Sequence, residues 1–118
     1  MITADGVYLY DAKKNALDTV LSKDIREMAG KQEYVKSAPV NLVYVADYAK
    51  VKGGSSDQQI LVGADVGLIA ENVYLFCASE GLATVVRANI DGDSLAKELR
   101  LRPEQKIILG QSVGYPKK

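Results

Sequence analysis

The stretch at residues 65–80, DVGLIAENVYLFCASE, constrains the fold more than any other part of this chain. Apolar residues at three- and four-residue spacing, beginning with Val66 and Ala70, predict a helix here. Leu68 and Leu75 lie off that stripe and are apolar too, so such a helix needs cover on nearly every side. A chain of 118 residues has little material to provide that cover. We therefore expect an oligomer with residues 65–80 at its interface.

Short apolar runs separated by turn residues make up most of the remaining chain. The run VNLVYVA at residues 40–46 is almost continuously apolar and follows Pro39, which indicates a central strand covered on both faces. Ser22 is expected to cap a helix over residues 22–29, and Gly30 is expected to end it in the left-handed conformation. Further strands are predicted at residues 7–10, 17–21, 84–88 and 106–113, and a further helix at residues 94–99.

The order of these elements predicts an α+β fold with one sheet and helices on its faces. The length of 118 residues predicts a single domain over residues 1–118. Fifteen basic residues balance fifteen acidic ones, so the total charge indicates neither a nucleic-acid partner nor an anionic membrane. The N-terminal sequence MITADGVYLYDAKK does not resemble a signal peptide, and no uninterrupted apolar run reaches the roughly 18 residues of a membrane span. We expect a cytoplasmic protein.

The chain contains no His and one Cys, and these counts exclude several chemistries. A Ser-His-Asp triad, a Cys-His pair, a His-containing zinc site and an internal disulfide are all ruled out, and no metal site is predicted. Cys77, in the middle of the apolar helix, is expected to be buried and inert. Asp91 and Asp93 are expected to cap the next helix. An enzyme of this composition would need a cofactor to perform its reaction.

Gly63 and Gly67 form a GxxxG pattern just before and inside the apolar helix. A phosphate-binding loop would need more glycines, followed by a Lys and a Ser or Thr. The pattern therefore favours close packing of this helix against another element.

Most of the chain resembles the C-terminal half of the flavin-dependent nitroreductase superfamily. Residues 6–21, GVYLYDAKKNALDTVL, are similar to the hairpin of its shorter members. The resemblance rests on four stretches in order: APVNLVYVADY at 38–48, ADVGLIAENVYLFCASEGLATVVRANID at 64–91, DSLAKELRLRPEQK at 93–106 and ILGQSVGYPKK at 108–118.

This resemblance implies a mixed sheet with helices on both faces. It also implies a homodimer intertwined along the long helix, in agreement with the independent expectation for residues 65–80. FMN would lie at the dimer interface and be reduced by NADH or NADPH. Hydride would then pass to nitroaromatics, quinones or related acceptors in a ping-pong cycle.

Alignment on the Gly that ends the long helix implies which residues contact the flavin. The backbone N–H groups of Ala88 and Asn89 would approach the N5 edge of the ring, where many members have Glu-Gly. Asn takes a positive φ less readily than Gly does. The segment that corresponds to the family's ring-contacting backbone runs from Val85 to Asn89, and its expected cofactor-binding residues are Val86, Arg87, Ala88 and Asn89.

Two further features of the resemblance concern the flavin phosphate. Lys117 and Lys118 fall near the place where family members direct C-terminal cations at this group. Members also begin with two helices bearing an Arg-rich, phosphate-binding motif, and this sequence starts just ahead of the hairpin. The alternative to an oxidoreductase is therefore a non-catalytic dimeric domain without flavin. A regulatory ligand-binding domain that shares only the fold is a weaker alternative.

Overall fold

A computed structural model describes residues 1–117, which form a six-stranded sheet with helices on both faces. The strands lie in the order β3-β2-β1-β4-β6-β5, and every pairing between them is antiparallel. The α+β class is confirmed, and the sheet within residues 1–117 includes no parallel pair. The strands are β1 (Ile2–Thr3), β2 (Gly6–Asp11), β3 (Ala16–Leu21), β4 (Val40–Asp47), β5 (Ala83–Arg87) and β6 (Gln105–Gly114).

The centre of the sheet is the pairing of β4 with β6. Asn41 lies opposite Ser112, and Val43 lies opposite Gly110. Packing covers both faces here, since Val43 contacts one hydrophobic cluster and Ala46 belongs to the other. The predicted central strand is confirmed. Its continuous apolar character follows from having side chains buried on alternate faces.

Three α-helices accompany the sheet: α1 (Glu33–Ser37), α2 (Ser55–Glu80) and α3 (Gly92–Glu98). The α2 helix begins ten residues before the predicted start, because Ser55 and Asp57 lie in its first turn rather than in a loop. A carboxylate in the first turn is stabilised by the positive end of the helix dipole. At the other end Gly81 adopts the left-handed conformation, with φ of 68°, and ends the helix as predicted.

The predicted helix over residues 22–29 is wrong. Only Arg26–Ala29 is helical, as one turn of 3-10 helix, and Ser22 does not cap it. Gly30 is extended, with φ of 173°, rather than left-handed. A stripe of only two apolar residues does not offset the cost of starting a longer helix. The α1 helix that follows was not predicted.

Two hydrophobic clusters lie on opposite faces of the sheet. The first cluster is formed by Ile2, Val7, Ile25, Ala29, Val35 and Leu95, and the second by Ala46, Val62 and Val66. The α2 helix covers the second cluster with a narrow stripe of buried residues, which lie four or more positions apart in the sequence. The buried stripe of α2 consists of Val62, Val66, Ala70 and Cys77.

The opposite side of α2 is an exposed apolar surface, which we call the α2 outer face. Its six large side chains are each 50–69% exposed: Ile60, Leu61, Leu68, Ile69, Leu75 and Phe76. By its length and apolar composition alone, α2 meets the criterion for a helix that crosses a membrane. A helix that packs on a sheet can meet the same criterion of length and composition. Nothing in residues 1–117 comes within 4 Å of a Cβ built on Gly63 or Gly67. The close packing expected at these glycines is therefore not made within this part of the chain.

Candidate functional site

The segment expected to contact a cofactor lies at the end of the outermost strand. Val86 and Arg87 end β5, and Ala88 and Asn89 follow as exposed residues. Within residues 1–117, β5 pairs only with β6. One side of its backbone is therefore open, and we call this side the β5 open edge.

The backbone amides at the β5 open edge alternate in direction. The amide of Val86 donates to the hydroxyl of Tyr74 at 2.7 Å, so it points away from β6. Alternation along a strand turns the amide of Ala88, two residues on, toward the same side. The carbonyl of Ala88 accepts from the amide of Ile90 at 2.9 Å, and that of Asn89 accepts from the amide of Lys31 at 3.2 Å. The carbonyls of these two exposed residues are thus used internally, and the Ala88 amide is the one that strand alternation directs to the open side.

Asn89 occupies its position without unusual backbone geometry. Among the non-glycine residues of the described chain, only Asn15 and Arg100 have positive φ. The substitution of Asn for Gly at this position therefore causes no left-handed strain in the structure.

The side chain of Arg87 points into the protein rather than toward the open edge. It is 5% exposed, and its Nε donates to Oγ of Ser112 at 3.0 Å. Its Nη2 donates to Oδ1 of Asn41 at 3.0 Å, and its Nη1 donates to the carbonyl of Ala29. No carboxylate in residues 1–117 forms an ion pair with it. Burial lowers the pKa of Arg87, and the nearby Tyr34 partly opposes that effect.

Two glycines make room for this guanidinium. A Cβ at Gly30 would lie 2.5 Å from Nη1 of Arg87, and a Cβ at Gly110 would lie 2.9 Å from the same atom. Side chains at either position would displace the buried cation. The extended Gly30 is therefore needed for close approach rather than as a helix end.

The partners of Arg87 were not singled out from the sequence. Asn41 and Ser112 are both buried, and the Ser112 hydroxyl donates to Oδ1 of Asn41 at 2.6 Å. The Nδ2 of Asn41 in turn donates to the carbonyl of Val35 at 2.9 Å. The available signal was an Asn inside the otherwise apolar run at 40–46, because buried polar side chains need partners.

Lys117 lies at the other end of β5, in a surface groove of about 400 Å³. Tyr34, Tyr115 and Val85 also line this groove. Because Ala83 pairs with Gly114, the Ala83 end of the groove lies about 17 Å along the strand from Ala88, at roughly 3.3 Å per residue, and its Val85 end lies about 10 Å away. The structure therefore does not bring Lys117 next to the amides of Ala88 and Asn89. Lys118 lies outside the described residues.

The remaining candidates have structural roles. Cys77 is buried, as predicted. Asp91 caps α3 by accepting from the Ser94 amide at 3.2 Å, and hydrogen bonds from Ser94, with Lys31 nearby, lower the pKa of Asp91. No group of three or more Cys, Asp or Glu residues in the described chain is arranged to hold a metal ion.

Comparisons with known proteins agree on one family. The Nitroreductase family model matches residues 5–115. A solved structure of a candidate nitroreductase from Ralstonia eutropha JMP134 is 33% identical with a TM-score of 0.91, over 99% of this chain and 56% of that one. An NADPH-flavin oxidoreductase from Vibrio harveyi is 32% identical over 108 residues, covering 84% of this chain and 45% of the relative. A candidate nitroreductase from Methanocaldococcus jannaschii is 31% identical over 86 residues, covering 69% and 43%.

The same comparisons give the fraction of each relative's length that this chain matches. This chain spans about half the length of these relatives, between 43% and 56%.

Proposed function

Because this chain belongs to the nitroreductase family, we propose that it acts in an FMN-dependent oxidoreductase of nitroreductase type. Its substrates would be NADH or NADPH as the hydride donor and nitroaromatics, quinones or similar compounds as acceptors. The observation that supports the proposal is the β5 open edge, where the Val86 amide points away from β6 and the exposed residues Ala88 and Asn89 follow the strand.

The ring end of FMN fits this edge. Flavin rings present acceptor atoms along one side, and an outward amide at Ala88 would donate to one of them. The carbonyls of Ala88 and Asn89 are bound internally, so they hold the amides in place without competing for the ligand. Val86 and Arg87 anchor the segment from the strand side. Ala88 and Asn89 would hold the ring by backbone contacts, and Val86 and Arg87 would fix the position of these two residues.

The phosphate end fits the groove at Lys117. FMN is an elongated molecule with the ring at one end and the phosphate at the other, so it can extend along β5 from Ala88 toward the groove. The ammonium group of Lys117 is exposed there and can form a charge-assisted hydrogen bond with a phosphate oxygen. Arg87 contributes nothing to phosphate binding in this arrangement, because its three donor nitrogens are used inside the protein.

When bound, FMN would supply the redox chemistry by accepting and releasing hydride. The chain's own residues would bind and orient it. Residues that only bind and orient the cofactor need not include His, and this sequence contains none. Asp91 is occupied in capping α3, so it is not assigned a role in proton transfer.

We also propose that the protein is a homodimer through the α2 outer face. Six large apolar side chains are more exposed there than is usual for a soluble surface. Gly63 and Gly67 lie on α2 with open space around them, which permits a close approach by a second helix. The expectation of a dimer along residues 65–80 therefore extends to the earlier turns of α2, where Ile60 and Leu61 are exposed.

FMN titration of the purified chain tests the proposed function. We expect the flavin fluorescence to change on binding, with saturation at about one FMN per chain, and the bound flavin to be reduced by NADH or NADPH. A chain that leaves the fluorescence of added FMN unchanged would contradict the proposal.

The second candidate is a non-catalytic dimeric domain without flavin. The observation that favours it is that Lys117 is the one cation lining the groove in the described chain. The same titration separates the two candidates. A colourless dimer that binds no FMN would support the second.

A further inference from the structure

Tyr74 connects α2 to the β5 open edge. Its hydroxyl lies 2.7 Å from the amide nitrogen of Val86 and accepts the hydrogen bond from it. The ring of Tyr74 is half-buried between these two elements. The contact falls two residues before Ala88, the first of the two exposed residues after β5.

An edge strand is held by one ladder of hydrogen bonds only, so its free side has no backbone partner to fix its position. Tyr74 supplies a partner on that side at Val86. On the next residue, the side chain of Arg87 is held inside the protein by Ser112 and Asn41. Two successive residues are thus anchored from different directions immediately before Ala88 and Asn89.

The hydroxyl of Tyr74 also has a proton of its own to donate. Phenolic groups donate and accept at once, and within residues 1–117 this group acts as an acceptor only. Its position beside Val86 places it on the same open side as the Ala88 amide, about 7 Å along the strand at roughly 3.3 Å per residue.

We propose that Tyr74 is a positioning residue for the flavin: by binding the Val86 amide it sets the position of the exposed residues Ala88 and Asn89, which receive the ring. This inference rests on the proposed function. It assigns to α2 a role in cofactor binding besides its role in covering the sheet.

The test compares Tyr74→Phe with Tyr10→Phe. Both changes remove one hydroxyl, and Tyr10 lies on β2 with its hydroxyl bonded to Oδ1 of Asn15 at 2.9 Å, far along the sheet from β5. Two quantities are measured: the hydrogen exchange rate of the Val86 amide by NMR without flavin, and the Kd for FMN. For Tyr74→Phe we expect faster exchange at this amide and a Kd raised roughly fivefold, the weight of one neutral hydrogen bond. Tyr10→Phe should change neither.

The two measurements separate failure of the inference from failure of the proposed function. If the unmodified chain binds FMN and Tyr74→Phe binds it with the same Kd, the positioning role is overturned while the proposed function stands. Unchanged exchange at Val86 also overturns the inference, whatever the affinity. If the unmodified chain binds no FMN, the proposed function fails, and the role of Tyr74 toward flavin fails with it.

Discussion

Arg87 and Asn41, 46 residues apart in the sequence, meet in the protein interior, where Nη2 of the arginine donates to Oδ1 of the asparagine at 3.0 Å. The asparagine oxygen accepts from Ser112 as well. This network joins β4, β5 and β6 with the turn at Ala29. Within residues 1–117, only neutral acceptors compensate the charge of the buried Arg87 guanidinium. The network therefore tolerates little change in its hydrogen-bond geometry.

Replacing Arg87 with Lys should therefore destabilise the protein although the charge is retained. A single ammonium group cannot reach the carbonyl of Ala29, the Ser112 hydroxyl and the Asn41 amide oxygen with the planar geometry of a guanidinium. We expect a loss of about 2 kcal/mol in the free energy of unfolding, measured by urea denaturation. Arg100→Lys, at an exposed position, is the matched control and should stay within about 0.5 kcal/mol of the unmodified chain. Equal stability of the two variants would show that the network is not needed.

Tyr44 should make stability fall at alkaline pH. Its hydroxyl donates to Oε1 of Gln111 at 2.5 Å, and burial, together with the nearby Cys77 and Tyr74, raises the pKa of Tyr44 from 10.0 to about 12. As the pH rises, the unfolded chain releases the Tyr44 proton before the folded protein does. The contribution of Tyr44 to the free energy of unfolding is therefore fully present below pH 10 and is lost as the pH rises to about 12. Urea unfolding across this range should show a shallower decline for Tyr44→Phe than for the unmodified chain.

Tyr10→Phe serves as the control for that measurement, because it removes an exposed hydroxyl of the same type. Its decline with pH should match that of the unmodified chain. If Tyr44→Phe declines equally steeply, the alkaline loss of stability has another source.

Phe76→Glu should convert a dimer into a monomer. Phe76 is 59% exposed on the α2 outer face, and a carboxylate there would be buried without a partner in a helix-to-helix interface. The molar mass from light scattering should fall by half. Leu17→Glu, on β3 and away from α2, should leave the mass unchanged. A Phe76→Glu protein that remains dimeric would place the interface elsewhere.

Lys117→Ala should weaken binding of FMN but not of riboflavin, which lacks the phosphate. For an exposed ammonium group, the loss of its contact with the phosphate should raise the Kd for FMN about fivefold, and the difference should shrink as salt is added. Fluorescence titrations with both flavins measure this. Lys13→Ala, on the hairpin turn, is the control for the change in net charge. Equal weakening for FMN and riboflavin would exclude a phosphate contact.

Much of the fold follows from local sequence. The strand at β4 and the end of α2 at Gly81 agree with the predictions because apolar continuity and a left-handed glycine act over a few residues. The start of α2 was misplaced because Ser and Asp are equally suited to loops and to the first turn of a helix. The predicted helix over 22–29 failed because its pattern was too short to be decisive.

By itself the sequence determined that this protein is an α+β domain of the nitroreductase type, that it lacks His chemistry, and that its long helix is apolar on nearly every side. Only the tertiary structure decided that the side chain of Arg87 lies inside while Ala88 and Asn89 are exposed. It also decided that Tyr74 contacts Val86 and that Lys117 lies at the far end of β5. These relationships depend on strand order and register, which bring together residues from distant parts of the chain, and no local pattern encodes such pairings.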